Sequence, residues 1–116
     1  LIKVAANGNR KFFLGTDTAP HLKGDKENAC GCAGVFNASY CMSILAQIFE
    51  HYKCLKNLEK FTSINGAQHY EIPINKEKIV IKKEKKSILF KKSLLVGCSE
   101  IVVFNPDFPV FWKVAE

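Results

Sequence analysis

A short apolar run that leads into a carboxylate constrains the fold of this chain more than any other segment. The run spans residues 12–14, is closed by Gly15, and is followed by Asp17 and, four residues later, by His21. Aromatic and branched residues bounded by glycine predict a buried strand over residues 11–15. In a parallel sheet or barrel, catalytic residues project from the C-terminal ends of the strands, which would place Asp17 at the mouth of a site with His21 above it. The alternative is a strand that ends in a turn, with Asp17 capping the turn and His21 in solvent.

The net charge of +6 is concentrated in residues 76–92, which contain eight lysines and two glutamates. A basic segment of this kind can bind nucleic acid. This one has no arginine, and its lysines alternate with apolar residues. The pattern favours two solvated strands joined by a charged turn, in which lysine also discourages edge pairing. Nucleic-acid binding is therefore the less favoured interpretation.

Composition and cysteine usage predict an ordinary globular protein of the cytoplasm. The 116 residues are 47% hydrophobic, which suits about one domain. Five cysteines, an odd number, without a signal-like segment indicate free thiols in a reducing compartment. Cys30 and Cys32 form a C-x-C pair without a second pair at zinc-ribbon spacing, so they are weak evidence for structural zinc. No apolar run approaches the ~20 residues that span a bilayer, so no membrane partner is expected.

The first two thirds of the chain predict helices around a long loop. Residues 1–6 are typical of the end of a helix. Residues 16–36 predict a loop of a length that usually carries function. Apolar residues at helical spacing predict helices over residues 37–52 and 55–65, the second ended by Gly66.

From residue 72 onward the pattern changes to the period of two that is typical of strands. The candidate strands cover residues 79–82, 87–90, 101–104 and 110–114. One buried strand, two helices and a small β tail do not complete an α/β core, because a parallel strand needs neighbours on both sides and helices over both faces. The pattern therefore predicts the C-terminal part of a larger α/β protein.

Two motifs in the first third of the chain resemble a known enzyme family. Residues 13–21 read F-L-G-T-D-T-A-P-H, and residues 26–34 read K-E-N-A-C-G-C-A-G. Together they closely resemble the last-strand and loop segment of the single-function bacterial type of dihydroorotases, zinc amidohydrolases of pyrimidine biosynthesis. The resemblance continues through the helix that begins at Phe36 to the closing Trp112-Lys113-Val114, so it covers roughly the whole chain. The two motifs at this spacing are far more specific than either alone.

The resemblance implies a fold and a division of the chain. The fold would be α/β, the C-terminal part of a TIM (β/α)8 barrel with a small β-rich extension. Residues 1–73 would form the last β/α unit and carry the substrate loop, residues 16–36. Residues 74–116 would form the extension.

The resemblance also implies roles for three residues. Asp17 matches the carboxylate of the eighth barrel strand, a Zn²⁺ ligand that also serves as general acid/base. His21 matches the loop histidine that binds the substrate carboxylate, and Ala33 matches the position whose backbone contacts the substrate. The family's other zinc ligands, including a carbamylated lysine, belong to earlier strands outside this chain. Because catalytic zinc usually has about three protein ligands, we expect the chain alone to be inactive.

The implied activity is the reversible interconversion of N-carbamoyl-L-aspartate and L-dihydroorotate in de novo UMP biosynthesis. A metal-activated hydroxide would attack the cyclic amide, and a carboxylate would move the proton. The implied partners are a small-molecule substrate and, since the family often forms homodimers, a second copy of the protein. Three alternatives stay open: another cyclic-amide amidohydrolase, a non-catalytic barrel fragment, and a basic interaction module that uses residues 76–92.

Overall fold

The computed structural model describes residues 2–115, a mixture of short helices and two small sheets. Leu1, which belongs to the predicted first helix, lies outside the described residues. In chain order the elements are α1 (Ile2–Ala6), α2 (Lys23–Lys26), α3 (Cys41–His51), a 3₁₀ turn (Leu55–Asn57), a π-helical turn (Lys60–Ile64), α4 (Asn65–His69), β1 (Ile81–Lys83), β2 (Ser93–Val96), β3 (Ser99–Val102) and β4 (Trp112–Val114). In this part of the chain β1 pairs with β4 and β2 with β3, both antiparallel.

The core lies where α3 packs against α1 and the helical segment that follows α3. Its buried centre consists of Ala6, Ala46, Phe49 and Leu58. Ala46 and Phe49 are three residues apart and therefore share one face of α3. The ring of Phe49 lies 5.4 Å from that of Phe61, in a tilted arrangement. Burial of these apolar side chains holds the helical segments together.

A polar contact fastens α3 to the sheet formed by β1 and β4. The carboxylate of Glu50 accepts hydrogen bonds from Lys83 Nζ at 2.7 Å and from the indole of Trp112 at 3.1 Å. The Lys83 bond first, and then the Trp112 bond, lower the pKa of Glu50. Since this pKa is lower in the folded state, the contact stabilises the fold at neutral pH and is lost as the pH falls through the folded-state value. Solvent exposure keeps the contribution modest.

The helix predictions are confirmed in position, with corrections to the start of the first helix and the end of the second. The helix predicted over residues 37–52 is α3, which begins at Cys41 after a turn. The second predicted helix is a helical segment that does not end at Gly66 but continues to His69. A Cβ at Gly66 would lie 3.2 Å from Cδ2 of Phe13, so this glycine allows the helix to approach the Phe13 ring closely.

The predicted buried strand over residues 11–15 is absent from the described chain. Leu14 N donates to Phe61 O at 2.9 Å, but no strand ladder forms. A strand needs a neighbouring strand to pair with, and within residues 2–115 this segment runs beside helical residues instead.

The β-rich character of the last third is confirmed, but the strand positions differ. Three predicted strands correspond to β1, β3 and β4. The fourth, residues 87–90, is not a strand, although Ile88 N donates to Val110 O at 2.8 Å. The missing strand is β2, which pairs with β3 across a tight turn where Gly97 adopts a φ of +61°. That left-handed conformation is easily reached by glycine and selects this hairpin.

Replacing Phe49 with alanine should destabilise the complete protein by about 3–5 kcal/mol, because it removes a buried ring and leaves a cavity. Phe49 is 3% exposed, whereas Phe108 is 41% exposed. Phe108→Ala is therefore the matched control and should cost less than about 1 kcal/mol. Urea denaturation measures both changes, and equal losses for the two variants would contradict the assigned core.

Candidate functional site

The candidate site is built on the loop of residues 16–36, whose outgoing and returning segments lie side by side. Thr18 and Val35 form a parallel bridge, and Ala19 N donates to Val35 O at 2.9 Å. The returning segment makes this close approach at Gly34, whose φ is +88°, and a Cβ there would lie 2.7 Å from Cβ of Ala19. Glycine is required at this position both for its backbone conformation and for space.

Asp17 stands at the beginning of the outgoing segment in a conformation that few residues adopt. Its φ is +41°, and its side chain is exposed. Asn37 holds the residues on both sides of it: Asn37 N donates to Thr18 Oγ1, and Asn37 Nδ2 donates to Thr16 O, each at 3.2 Å. A left-handed, non-glycine residue costs free energy and persists only where its surroundings determine it. Asn37 supplies that restraint.

His21 and Ala33 are in direct contact across the loop. Nε2 of His21 lies 2.9 Å from the carbonyl oxygen of Ala33. A carbonyl only accepts, so Nε2 carries the proton in this contact. The structure thus joins two of the three predicted site residues. Asp17 directly precedes Thr18, whose bridge to Val35 joins the two segments.

Lys26, on the short helix α2 at the far end of the loop, binds the returning segment. Its Nζ donates to Cys32 O at 2.6 Å and also to Gly34 O. In the opposite direction, Cys32 N donates to Asp25 O at 3.1 Å. The returning segment is therefore fastened to α2 on either side of Ala33. Sequence reasoning did not identify Lys26, although it lies in the second motif.

The β2–β3 hairpin supports the loop from outside. Val102 N lies 3.4 Å from His21 O, and Leu22 forms an antiparallel bridge with Ile101. The carboxylate of Glu100 accepts a hydrogen bond from the hydroxyl of Ser93 and lies 3.1 Å from Lys23 Nζ. The hairpin therefore contacts the loop through the backbone of His21 and Leu22 and through the side chain of Lys23.

The charges at this contact shift each other's titration. The bonds to Ser93 and Lys23 lower the pKa of Glu100, and Glu100 in turn raises the pKa of Lys23. Both shifts favour the charged pair at neutral pH. No sequence signal pointed to Glu100, because its partner lies more than seventy residues earlier in the chain.

The described residues do not by themselves form a metal site. No group of three or more His, Cys, Asp or Glu side chains within residues 2–115 could hold a metal ion. Asp17 offers one exposed carboxylate, and a single carboxylate is a poor zinc site. The five cysteines are free thiols, and burial raises the pKa of Cys41 and of Cys54. None of the helices in the described chain is long and apolar enough to cross a bilayer.

Comparison with known proteins relates the chain to one kind of enzyme, although no protein-family model matches it. A dihydroorotase of Chelativorans sp. is 46% identical over 97% of this chain, and a dihydroorotase of Photobacterium profundum is 42% identical over 98%. The chain spans about a third of the length of these curated relatives, 32% and 33% respectively.

Solved dihydroorotase structures show the same fold over this region. The Saccharomyces cerevisiae dihydroorotase, crystallised with 5-fluoroorotic acid, matches with a TM-score of 0.85 at 32% identity. That match covers 99% of this chain and 33% of the yeast chain. A dihydroorotase from Campylobacter jejuni matches with a TM-score of 0.78 at 25% identity, over 98% of this chain and 32% of the other. The resemblance predicted from the two motifs is confirmed.

Gly34→Ala should loosen the contact between the two segments of the loop, because the new methyl group meets Ala19 and the positive φ becomes unfavourable by about 1–2 kcal/mol. Gly24→Ala, in α2, is the matched control, since no atom lies within 4 Å of a Cβ there. Hydrogen exchange in the complete protein should show the Ala19 amide exchanging about tenfold faster in the first variant only. Identical exchange in both variants would refute the role of Gly34.

Proposed function

We propose that this chain, a relative of dihydroorotases along its whole length, supplies one part of the active site of an enzyme that interconverts N-carbamoyl-L-aspartate and L-dihydroorotate. The reaction is the reversible hydrolysis of a cyclic amide in pyrimidine biosynthesis. The observation that carries the proposal is the loop of residues 16–36, in which His21 contacts Ala33 at 2.9 Å and an exposed Asp17 stands at the entrance. Because the chain spans about a third of the length of its relatives, we assign the reaction to the complete protein and not to this chain alone.

We place the chain at the C-terminal end of a TIM (β/α)8 barrel. Residues 11–15 would be the last barrel strand, which pairs with neighbouring strands of the complete protein. Residues 1–73 would form the last β/α unit, and residues 74–116 a β-rich extension. The contact of α3 with β4 through Glu50 and Trp112 supports an extension that packs onto this unit.

Asp17 has two tasks in the proposed mechanism. In the complete protein its carboxylate would hold a zinc ion together with ligands outside residues 2–115, including a carbamylated lysine. When bound, zinc would supply a nucleophile at neutral pH by lowering the pKa of water. Asp17 would accept a proton from the attacking water and deliver it to the amide nitrogen as the ring opens. The bonds of Asn37 to Thr16 and Thr18 restrain the backbone from which this carboxylate projects.

His21 and Ala33 bind the substrate carboxylate. An imidazole and a backbone N–H can both donate to an anion, and the contact of His21 Nε2 with the Ala33 carbonyl oxygen keeps the two residues side by side. In the proposal, the Nε2 proton turns from that carbonyl oxygen to the substrate carboxylate when substrate binds. Binding the carboxylate at one end of the substrate would orient the amide carbon toward Asp17, so the binding contacts also place the reacting groups in the geometry that the reaction needs. Substrate binding is thus assigned to the loop and proton transfer to its entrance.

The alternatives have less support in the structure. Two lysines of the basic segment, Lys78 and Lys83, form ion pairs with Glu59 and Glu50 of the helical region. These two pairs neutralise part of the positive charge of the segment, which lowers its attraction for nucleic acid. The other alternative is an amidohydrolase that acts on a different cyclic amide, and turnover rates measured on a panel of cyclic amides would distinguish it from a dihydroorotase.

We also propose a compartment and an assembly for the complete protein. The five free cysteines agree with a reducing compartment such as the cytoplasm. The assembly that we propose is a homodimer.

Asp17→Asn in the complete protein should reduce turnover by at least about a thousandfold, because the amide side chain neither accepts the proton nor binds zinc as a carboxylate does. Zinc content measured on the purified variant should fall as well. Asp25→Asn, an exposed carboxylate on the same loop, is the control and should keep both properties. Wild-type turnover in the Asp17 variant would refute the assignment.

His21→Ala should raise the KM for dihydroorotate about tenfold or more while kcat falls much less, because the histidine binds the substrate rather than the reacting bond. The control is His51→Ala, at the exposed end of α3. Steady-state kinetics of the complete protein measures both. A loss of kcat at unchanged KM would assign His21 to the chemical step instead.

A further inference from the structure

We infer that Lys26 is a positioning residue, which orients the peptide between Cys32 and Ala33 so that the Ala33 N–H faces the substrate anion. The inference deepens the proposed function and rests on it. Its basis is the position of the Lys26 ammonium, which binds the carbonyl oxygens of Cys32, at 2.6 Å, and of Gly34. These two residues flank Ala33 directly.

Because Cys32 O and the Ala33 N–H belong to the same rigid peptide unit, binding the carbonyl oxygen also fixes the direction of the N–H. Every described peptide bond is trans, so the C=O of Cys32 and the N–H of Ala33 lie in one plane and point in opposite directions. With Cys32 O bound to the ammonium, the Ala33 N–H points away from Lys26. Among residues 2–115 no acceptor takes this N–H, which leaves it available to a ligand. Without Lys26, the plane is free to turn and the donor loses its direction.

The carbonyl of Ala33 itself is held by His21, so three consecutive carbonyls of the returning segment are all bound within the loop. The turn that brings this segment back over α2 is tight. A Cβ on Gly31 would lie 2.6 Å from Lys26 O, which leaves no room for a side chain there. The segment therefore lies against α2 in one arrangement, with Lys26 as its central contact.

Lys23 provides a matched control on the same helix. Its ammonium lies 3.1 Å from Glu100 of the hairpin and binds no carbonyl of the returning segment. Lys23→Met and Lys26→Met remove the same charge three residues apart, so any general effect of charge on an anionic substrate is similar in both. An exposed ion pair such as Lys23–Glu100 contributes little to stability. A difference between the two variants therefore reports the carbonyl contacts.

The experiment compares the complete protein with its Lys26→Met, Lys26→Arg and Lys23→Met variants in steady-state kinetics. Lys26→Met should raise the KM for dihydroorotate about tenfold with kcat within about twofold, because the Ala33 N–H loses its fixed direction and with it a hydrogen bond to the substrate anion. Lys26→Arg keeps the charge and the donors and should recover most of the affinity. Lys23→Met should keep the wild-type KM.

A second measurement does not depend on turnover. Hydrogen exchange of the Cys32 amide, which donates to Asp25 O, and of the Ala19 amide, which donates to Val35 O, should accelerate in Lys26→Met and stay at the wild-type rate in Lys23→Met. If the complete wild-type protein fails to turn over dihydroorotate, the proposed function is wrong, and the exchange comparison alone decides the role of Lys26. Lys26→Met with wild-type KM and exchange overturns the inference, as do equal effects of the two methionine variants or a loss confined to kcat.

Discussion

The parallel bridge between Thr18 and Val35 is the contact on which the rest of the candidate site depends. Bringing the two ends of the loop together costs conformational entropy, and the hydrogen bonding of the bridge offsets part of that cost. The bridge brings the segment after Asp17 next to the segment after Ala33. Gly34 makes this approach possible, because any side chain there would overlap Ala19. A single backbone contact thus sets the spacing between the proposed acid/base and the proposed anion donors.

The C-terminal part of the chain acts on this loop instead of standing apart from it. The β2–β3 hairpin contacts the backbone at His21 and Leu22, and the exposed pair of Glu100 with Lys23 adds little to this contact. Small two-stranded sheets are marginal by themselves, so the hairpin gains stability from the loop as the loop gains order from the hairpin. The two are therefore expected to be ordered together, with the imidazole of His21 at their junction.

Sequence reasoning located the elements that depend on local patterns and missed those that depend on distant partners. Helix α3 follows from the apolar spacing along it, and the loop follows from its glycines and proline. The strand expected over residues 11–15 is absent because pairing requires a neighbour, which no apolar run encodes. Strand β2 was not predicted for a related reason: the turn at Gly97 determines its pairing with β3, and the residues of β2 do not alternate between apolar and polar.

The same distinction applies to the candidate site. Asp17 and His21 can be singled out from the sequence because their side chains carry chemistry, whereas Ala33, whose proposed contact is through the backbone, follows only from the resemblance of the motifs. The contacts that orient them come from Asn37 and Lys26, which act on backbone atoms and leave no chemical signature in the sequence. Peptide carbonyls and N–H groups are the same at every position, so only the folded path of the chain shows which of them a side chain holds.

The left-handed backbone of Asp17, a conformation that Lys53 and Glu71 share, matters here because Asp17 lies on the candidate loop. A non-glycine residue at a φ of +41° stores up to about 1–3 kcal/mol, and glycine would remove that cost. Aspartate reaches this conformation more easily than most residues, which suits it to a turn as well. The side chain is exposed instead of satisfying a local hydrogen bond, and Asn37 restrains the residues on both sides. Strain that is held in place around an exposed carboxylate is understandable if that carboxylate must meet groups supplied by the rest of the protein.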